Sequence, residues 1–406
     1  SLDYLTTSPD RYVQVLDAEW DLLIVDEAHH LEWTPELAST AYQIVEGLAE
    51  KIPSVLLLTA TPQQLGPEGH FARLRLLDPA RYNNLETFIE ESGHYQEMAE
   101  LVDRIDGQEE LTSSDWEMVK KSSSHLHDQY SDKKSLSKAD RSQLSEHIID
   151  SFGPGRVMFR NTRKELKGFP KRQPLLHRLD PTADDNTSFE QKIEWLVDWL
   201  SEHPHEKVLL ICQTRTLVEE IYEAVHEQIN LNLSQFHEGL NLIQRDRQAA
   251  YFADPEGARV LVCSEIGSEG RNFQFAHHLI LWDLPKNPEL VEQRIGRLDR
   301  IGQTSTIHIH LPYIPGTSEE VWVQFYNQGV GIFNNPVPTA LILAHQFGEK
   351  LTNLSEKFDG DVLEALISEV SDARKDLGEQ LENGYLRLLA RNSNKPGQSE
   401  VLREQI

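Results

Sequence analysis

The sequence predicts an α/β fold built on parallel sheets, and three observations support that. The apolar runs DLLIVD (21–26), VLLLT (55–59), KVLLIC (207–212), RVLVCSE (259–265) and HHLILWDLP (277–285) are continuous, not alternating. Strands buried on both faces by crossover helices read this way. Stretches with helical spacing separate the runs. Carboxylates and small hydroxyl residues gather at the carboxyl ends of the first two, where open α/β sheets place their ligands.

At 406 residues the chain has room for two or three domains. With 39% hydrophobic and 26% charged residues, its composition is that of a globular protein. Cys212 and Cys263 are the only cysteines, and each sits in an apolar strand-like run. That fits a reduced, cytoplasmic core better than a disulfide framework. No apolar run approaches the roughly 20 residues needed to span a membrane, so no membrane partner is expected. No signal peptide is visible, and the chain begins at Ser1 in mid-domain style, as a fragment would. The net charge of −27 argues against a protein that simply coats nucleic acid. One basic island stands apart: Arg156, Arg160, Arg163, Lys164, Lys167, Lys171, Arg172 and Arg178. It suits either a local groove for DNA or RNA or a solvated linker.

In chain order, Asp21–Asp26 is the first strand, followed by Asp26-Glu27-Ala28-His29. Adjacent carboxylates there suit nucleotide hydrolysis, one to hold Mg²⁺ and the other to orient the attacking water. An ordinary acidic turn is the plainer alternative. Residues 35–51 read as a helix crossing back over the sheet, and Val55–Thr59 as the next buried strand, ending in Thr59-Ala60-Thr61-Pro62. From Asn83 to about Gly153 the chain is acidic and serine-rich with weakly helical patterns, as in a helical insertion. Thr182–Thr187 is short and polar and reads as a linker.

The second half alternates helix and strand. Phe189–Glu202 and Leu217–Ile229 are predicted helices; Lys207–Cys212, Ser234–His237, Arg259–Glu265 and His277–Pro285 are predicted strands. SEIGSEGRNFQ (264–274) follows one strand directly. Its glycines, Gly270 among them, allow close backbone approach, while Ser268, Glu269 and Asn272 offer polar groups to a nucleotide or nucleic-acid backbone. IHIHLPY (307–313) is the last strand, with His308 and His310 expected on a half-exposed face. PELVEQRIGRLDRIGQ (288–303) reads as one helix, with Asn287 as cap, Pro288 in the first turn and Gly302 at its end. Gln293, Arg297 and Arg300 then share one face and Val291, Ile295 and Leu298 the opposite one. Such a stripe suits a polyanion or a face making surface ion pairs. Beyond Pro315 the pattern is mostly helical and carries no chemical motif.

Together these motifs resemble the Swi/Snf group of the superfamily 2 helicase-like ATPases. DEAH resembles motif II, TATP motif III, SEIGSEGRNFQ motif V and QRIGRLDRIGQ motif VI. EIGSEGRNFQFA, QRIGRLDRIGQ and FRNTRKELKGFPKR further resemble a bacterial RNA polymerase-associated branch of that group. The resemblance implies two RecA-like lobes, with ATP and Mg²⁺ as cofactors and RNA polymerase core and DNA, or RNA, as partners. It casts Asp26 as the metal-side residue and Glu27 as the water-activating one. His29, Thr59 and Thr61 would couple the lobes, and Ser268 and Asn272 would reach nucleotide or nucleic acid. Gln293, Arg297 and Arg300 would face the γ-phosphate. The implied domains are the C-terminal part of the first lobe (1–82), a helical insertion (83–155), a lobe-closing block and linker (156–185), the second lobe (186–315) and a helical segment beginning a further domain (316–406). The implied function is ATP-driven translocation along nucleic acid, coupled to polymerase recycling. A docking module that keeps the fold without turnover is the alternative.

Two departures stand out. No G-x-x-x-x-G-K-[ST] loop occurs. The family places it upstream of Asp26, so this chain alone is expected not to turn over ATP. The stretch between Arg172 and Phe189 is also shorter than such proteins lead one to expect.

Overall fold

Two parallel sheets organise the chain, one in each of two units: 1–165 with 379–406, and 166–378. The computed structural model describes residues 1–59, 66–93, 95–131, 133, 136–152, 168–179, 188–265 and 273–383.

The first unit opens with α1 (Leu2–Thr7) and α2 (Pro9–Asp17), which the patterns above do not anticipate. β1 (Leu22–Val25), α3 (Thr40–Lys51) and β2 (Ser54–Leu57) then form a parallel pair with its crossover helix, Leu22 standing opposite Ser54. α3 starts later than expected because the Ser39 side chain caps it, accepting from the Tyr42 N–H. Trp33 and Ala38 close the preceding turn through an isolated bridge.

The strands also depart from expectation, since they are covered on one face only. Leu23, Val25 and Leu57 pack with Tyr42 and Val45, whereas Leu22, Ile24 and Leu56 point outward at 45–55% exposure. A continuous apolar run predicts two buried faces. Among the described residues, helices cover one.

After α4 (Gly66–Leu77) come α5 (Leu85–Gly93), α6 (Tyr95–Asp106), α7 (Ser113–Ser122), α8 (Ser124–Tyr130) and α9 (Lys138–Phe152). Met98, Leu101, Val102 and Ile105 recur at i, i+3, i+4 and i+7 and meet Val119, Leu126, Leu144 and Ile148 in a core of their own. Thr112 and Asp115 form a capping box that starts α7. Burial would raise the Asp115 carboxyl, but Thr112 and the Arg104 guanidinium outweigh it and hold it below the usual range.

The second unit contains β3 (Arg172–Arg178), α10 (Ser188–Glu202), β4 (Val208–Cys212), α11 (Arg215–Gln228) and β5 (Leu233–Phe236). α12 (Leu242–Ala253), β6 (Val260–Ser264), β7 (His278–Leu281), α13 (Pro288–Ile295) and β8 (Ile307–Tyr313) follow. All pairings are parallel, in the order β3-β8-β7-β4-β6-β5. Here the continuous apolar runs are buried on both faces. Val208, Leu210 and Cys212 of β4 join α10 and α11 in one core, while Leu209 and Ile211 join Phe252, Val291 and Ile295 in the other. This is the expected α/β architecture with parallel sheets.

β3 was not anticipated, because its residues fell in the block read as lobe-closing segment and linker. It pairs along its whole length with β8 as an edge strand. The C-terminal helices α14 (Ser318–Gln324), α15 (Ala340–Glu356) and α16 (Gly360–Asn383) were expected to begin a further domain. Val321, Phe325, Leu343, Phe347, Leu366 and Val370 share one core with Ile309 and Leu311 of β8. Both cysteines are buried and unpaired, and burial pushes the Cys263 thiol well up. Among the described residues, no helix is long and apolar enough to cross a membrane.

Candidate functional site

Asp26 follows β1 directly, and Glu27 adopts a left-handed backbone at φ 51°. That conformation is uncommon outside glycine and asparagine-like residues. It is held by the Glu27 N–H donating to Asp26 Oδ1 at 3.0 Å and the Ala28 N–H donating to the Leu58 carbonyl at 2.9 Å. The kink turns the chain into a short 3₁₀ turn, Ala28–His30, and leaves both carboxylates exposed. His29 lies beneath them, 4% exposed. Its Nδ1 is 3.2 Å from Glu27 Oε2 and 3.3 Å from Thr59 Oγ1. One imidazole therefore links the segment after β1 to the segment after β2. Two open carboxylates on a backbone fixed at both sides could hold a divalent cation and a water.

The stretch after Asn287 is not one helix. Asn287 caps it through the Glu289 N–H and Pro288 fills the first turn, as expected, but α13 ends at Ile295. Gly296, a weak helix former, is its C-cap. Residues 297–300 then continue in tight turns: Arg297 N–H to the Arg294 carbonyl, Leu298 N–H to Ile295 and Arg300 N–H to Leu298. Val291, Ile295 and Leu298 are buried as anticipated. Gln293 alone of the three stripe residues remains on the helix. Arg297 is only 8% exposed, so the stripe is not a solvated face; Arg300 is half-buried, its Nε donating to the Gly296 carbonyl at 3.0 Å.

Arg294, Gln303 and Arg172, the last counted above only in the basic island, anchor this segment. Arg294, 1% exposed, donates to Glu265 at 2.6 Å, Asp283 Oδ1 at 3.0 Å and the Asp283 carbonyl at 2.6 Å. Burial alone would lower its pKa, but the two carboxylates raise it, so the charge stays. Arg172 reaches across from β3 to Asp299 at 2.5 Å, to both oxygens of Glu292 and to the Ile332 carbonyl at 2.9 Å. Gln303 donates to the Gln274 and Ala276 carbonyls at 2.8 and 3.1 Å. Arg294 had a visible signal, since it stands three residues after Val291 and four before Leu298, on the apolar face.

Arg172 thus leaves the basic island for the interior, while Lys171 and Arg178 are exposed. The island's other five basic residues, together with Thr61, Ser268, Gly270 and Asn272, lie outside the described residues. Asp26, Glu27, His29 and Thr59 belong to the first unit, and Gln293, Arg297 and Arg300 to the second.

Comparison with known proteins places these segments in a family. Residues 191–302 match the helicase conserved C-terminal domain, and residues 306–406 match the RNA polymerase recycling family C-terminal domain. The RNA polymerase-associated protein RapA of Vibrio parahaemolyticus is 39% identical over 454 aligned residues, covering 100% of this chain and 47% of that protein. The RapA of Pseudomonas putida is 41% identical over 439, covering 100% and 46%. Among solved structures, the Sulfolobus solfataricus SWI2/SNF2 ATPase core in complex with dsDNA aligns at 17% identity and a TM-score of 0.32, over 86% of this chain and 75% of that one. The chain spans about half the length of the curated relatives it matches. It is a homologue of the RNA polymerase-associated RapA proteins, carrying a helicase C-terminal domain followed by the polymerase-recycling C-terminal domain.

Proposed function

We propose that the protein carrying this chain is an ATP-driven nucleic-acid translocase that binds RNA polymerase core and promotes its recycling during transcription. The observation that carries this reading is the His29 linkage. A buried imidazole holding Glu27 and Thr59 lets the state of a water-activating carboxylate reach the neighbouring strand end. Asp26 takes the Mg²⁺ of MgATP and Glu27 orients the attacking water. Thr59 and Thr61 pass the change onward, while Ser268, Gly270 and Asn272 meet nucleotide or nucleic acid. Gln293, Arg297 and Arg300 act on the γ-phosphate of ATP. DNA raises turnover by favouring the hydrolysis-competent arrangement, a population shift and not new chemistry.

The test is to measure Mg²⁺-dependent ATP hydrolysis by the full-length protein with and without DNA, alongside co-migration with polymerase core. The expected result is DNA-stimulated turnover by a protein that also co-migrates. Co-migration without any hydrolysis would replace this reading with that of a docking module.

A further inference from the structure

At the amino end of the second sheet, away from the strand ends that carry Glu265 and Asp283, histidines from three segments converge with Glu206. His277 precedes β7 and His278 starts it, and each points Nε2 at one oxygen, Glu206 Oε2, at 3.2 and 3.5 Å. One ligand atom from each of the three residues lies within 4.8 Å of the others. Behind them His278 Nδ1 is 2.9 Å from His310 Nε2, and His310 Nδ1 is 3.0 Å from His177 Nε2. His310, expected on a half-exposed face, is 1% exposed, with the rings of Trp195 and Trp199 against it.

We propose that Glu206, His277 and His278 form a binding site for a divalent transition-metal ion of the zinc class. A tetrahedral ion with bonds of about 2.0–2.1 Å separates its ligands by roughly 3.3 Å, which the two measured separations bracket. Two imidazoles and one carboxylate suit Zn²⁺, and a water completes the four positions. The side chains of Glu206 and His277 are about one-third exposed, so an ion can enter without opening the fold. The imidazoles behind serve as supporting partners, since a ligating histidine usually donates its other N–H to an acceptor.

That chain fixes a proton direction. With a metal on His278 Nε2, its Nδ1–H donates to His310 Nε2, and His310 Nδ1–H donates to His177 Nε2. Without the metal, His278 Nε2–H donates to Glu206 and every bond in the chain can run the other way.

The experiment titrates Zn²⁺ into the untagged 406-residue chain against a chromogenic chelator, with Glu206→Gln, His277→Ala and, as control, the exposed His345→Ala. The expected result is one equivalent bound, weakened at least tenfold in the first two variants and unchanged in the control. Losing a ligand's direct supporting partner costs roughly 10–100-fold, and His177 stands one step behind His310, so His177→Phe should weaken binding by less than that. Imidazole ¹⁵N spectra should show His278 and His310 exchanging tautomer on Zn²⁺ addition. Stoichiometric binding that survives both ligand substitutions, or no binding tighter than in Glu206→Gln, overturns the assignment.

Discussion

Glu27→Gln in the full-length protein should lower DNA-stimulated ATP hydrolysis by about 10²–10⁴-fold, the usual contribution of a positioned general base. ATP binding should survive. The amide keeps the shape of the side chain and leaves the neighbouring Asp26 carboxylate in place, so the metal-side contact persists. The backbone should persist too, because the left-handed φ of 51° is held by main-chain donors and not by the Glu27 carboxylate. Single-turnover hydrolysis and nucleotide affinity, measured together, separate the two effects. Turnover within a few-fold of wild type would take the water-activating role away from Glu27.

The largest expected effect on stability is at Arg294. Truncating it to alanine leaves Glu265 and Asp283 facing each other without their shared cation and frees the Asp283 carbonyl. Removing one partner of a buried ion pair costs about 3–5 kcal/mol, and the lower end is expected here because Glu265 and Asp283 are 20% and 27% exposed and Asp283 keeps the Gln213 N–H. Arg300→Ala in the same turn loses one hydrogen bond to the Gly296 carbonyl, which is worth about 0.5–1.5 kcal/mol. Urea unfolding of the 406-residue chain, followed by the tryptophans of the second unit, compares the two. Equal destabilisation would mean that the Arg294 network adds nothing beyond an ordinary hydrogen bond.

Legibility in the sequence followed burial. β4, β6 and β7 were plain because alternate residues of each meet a different apolar core, and no polar position interrupts the run. The same signal overstated β1 and β2, whose composition does not tell one covered face from two. β3 was missed because its basic and proline residues read as a linker; only the reach of Arg172 to Asp299 and Glu292 explains why it joins the edge. The break at Gly296 was missed because a glycine inside a strong helical period costs only about 1 kcal/mol, too little to predict a stop. Cap and first turn were legible, being local chemistry. Asp26, Glu27, His29 and Thr59 could be picked out as a group by chain order, but their junction at one imidazole needed coordinates. The histidine cluster was beyond reach, because it draws on positions 177, 206, 277–278 and 308–310, and only the strand order makes them neighbours.

The central proposal is that Arg297 and Arg300 act on the γ-phosphate of ATP. The direct measurement is kcat for ATP, with and without DNA, in full-length Arg300→Ala and Arg297→Lys, alongside DNA affinity and thermal melts. Lysine is chosen at Arg297 because that side chain is buried and the charge must be kept. A single arginine finger contributes roughly 10³–10⁵ in rate, and two arginines sharing the role should each cost less than that, at least about tenfold. The predicted result is that loss in kcat, with DNA affinity nearly unchanged and the melting temperature of Arg300→Ala close to wild type. Near-normal kcat in both variants would contradict the account and leave these arginines as parts of the fold alone.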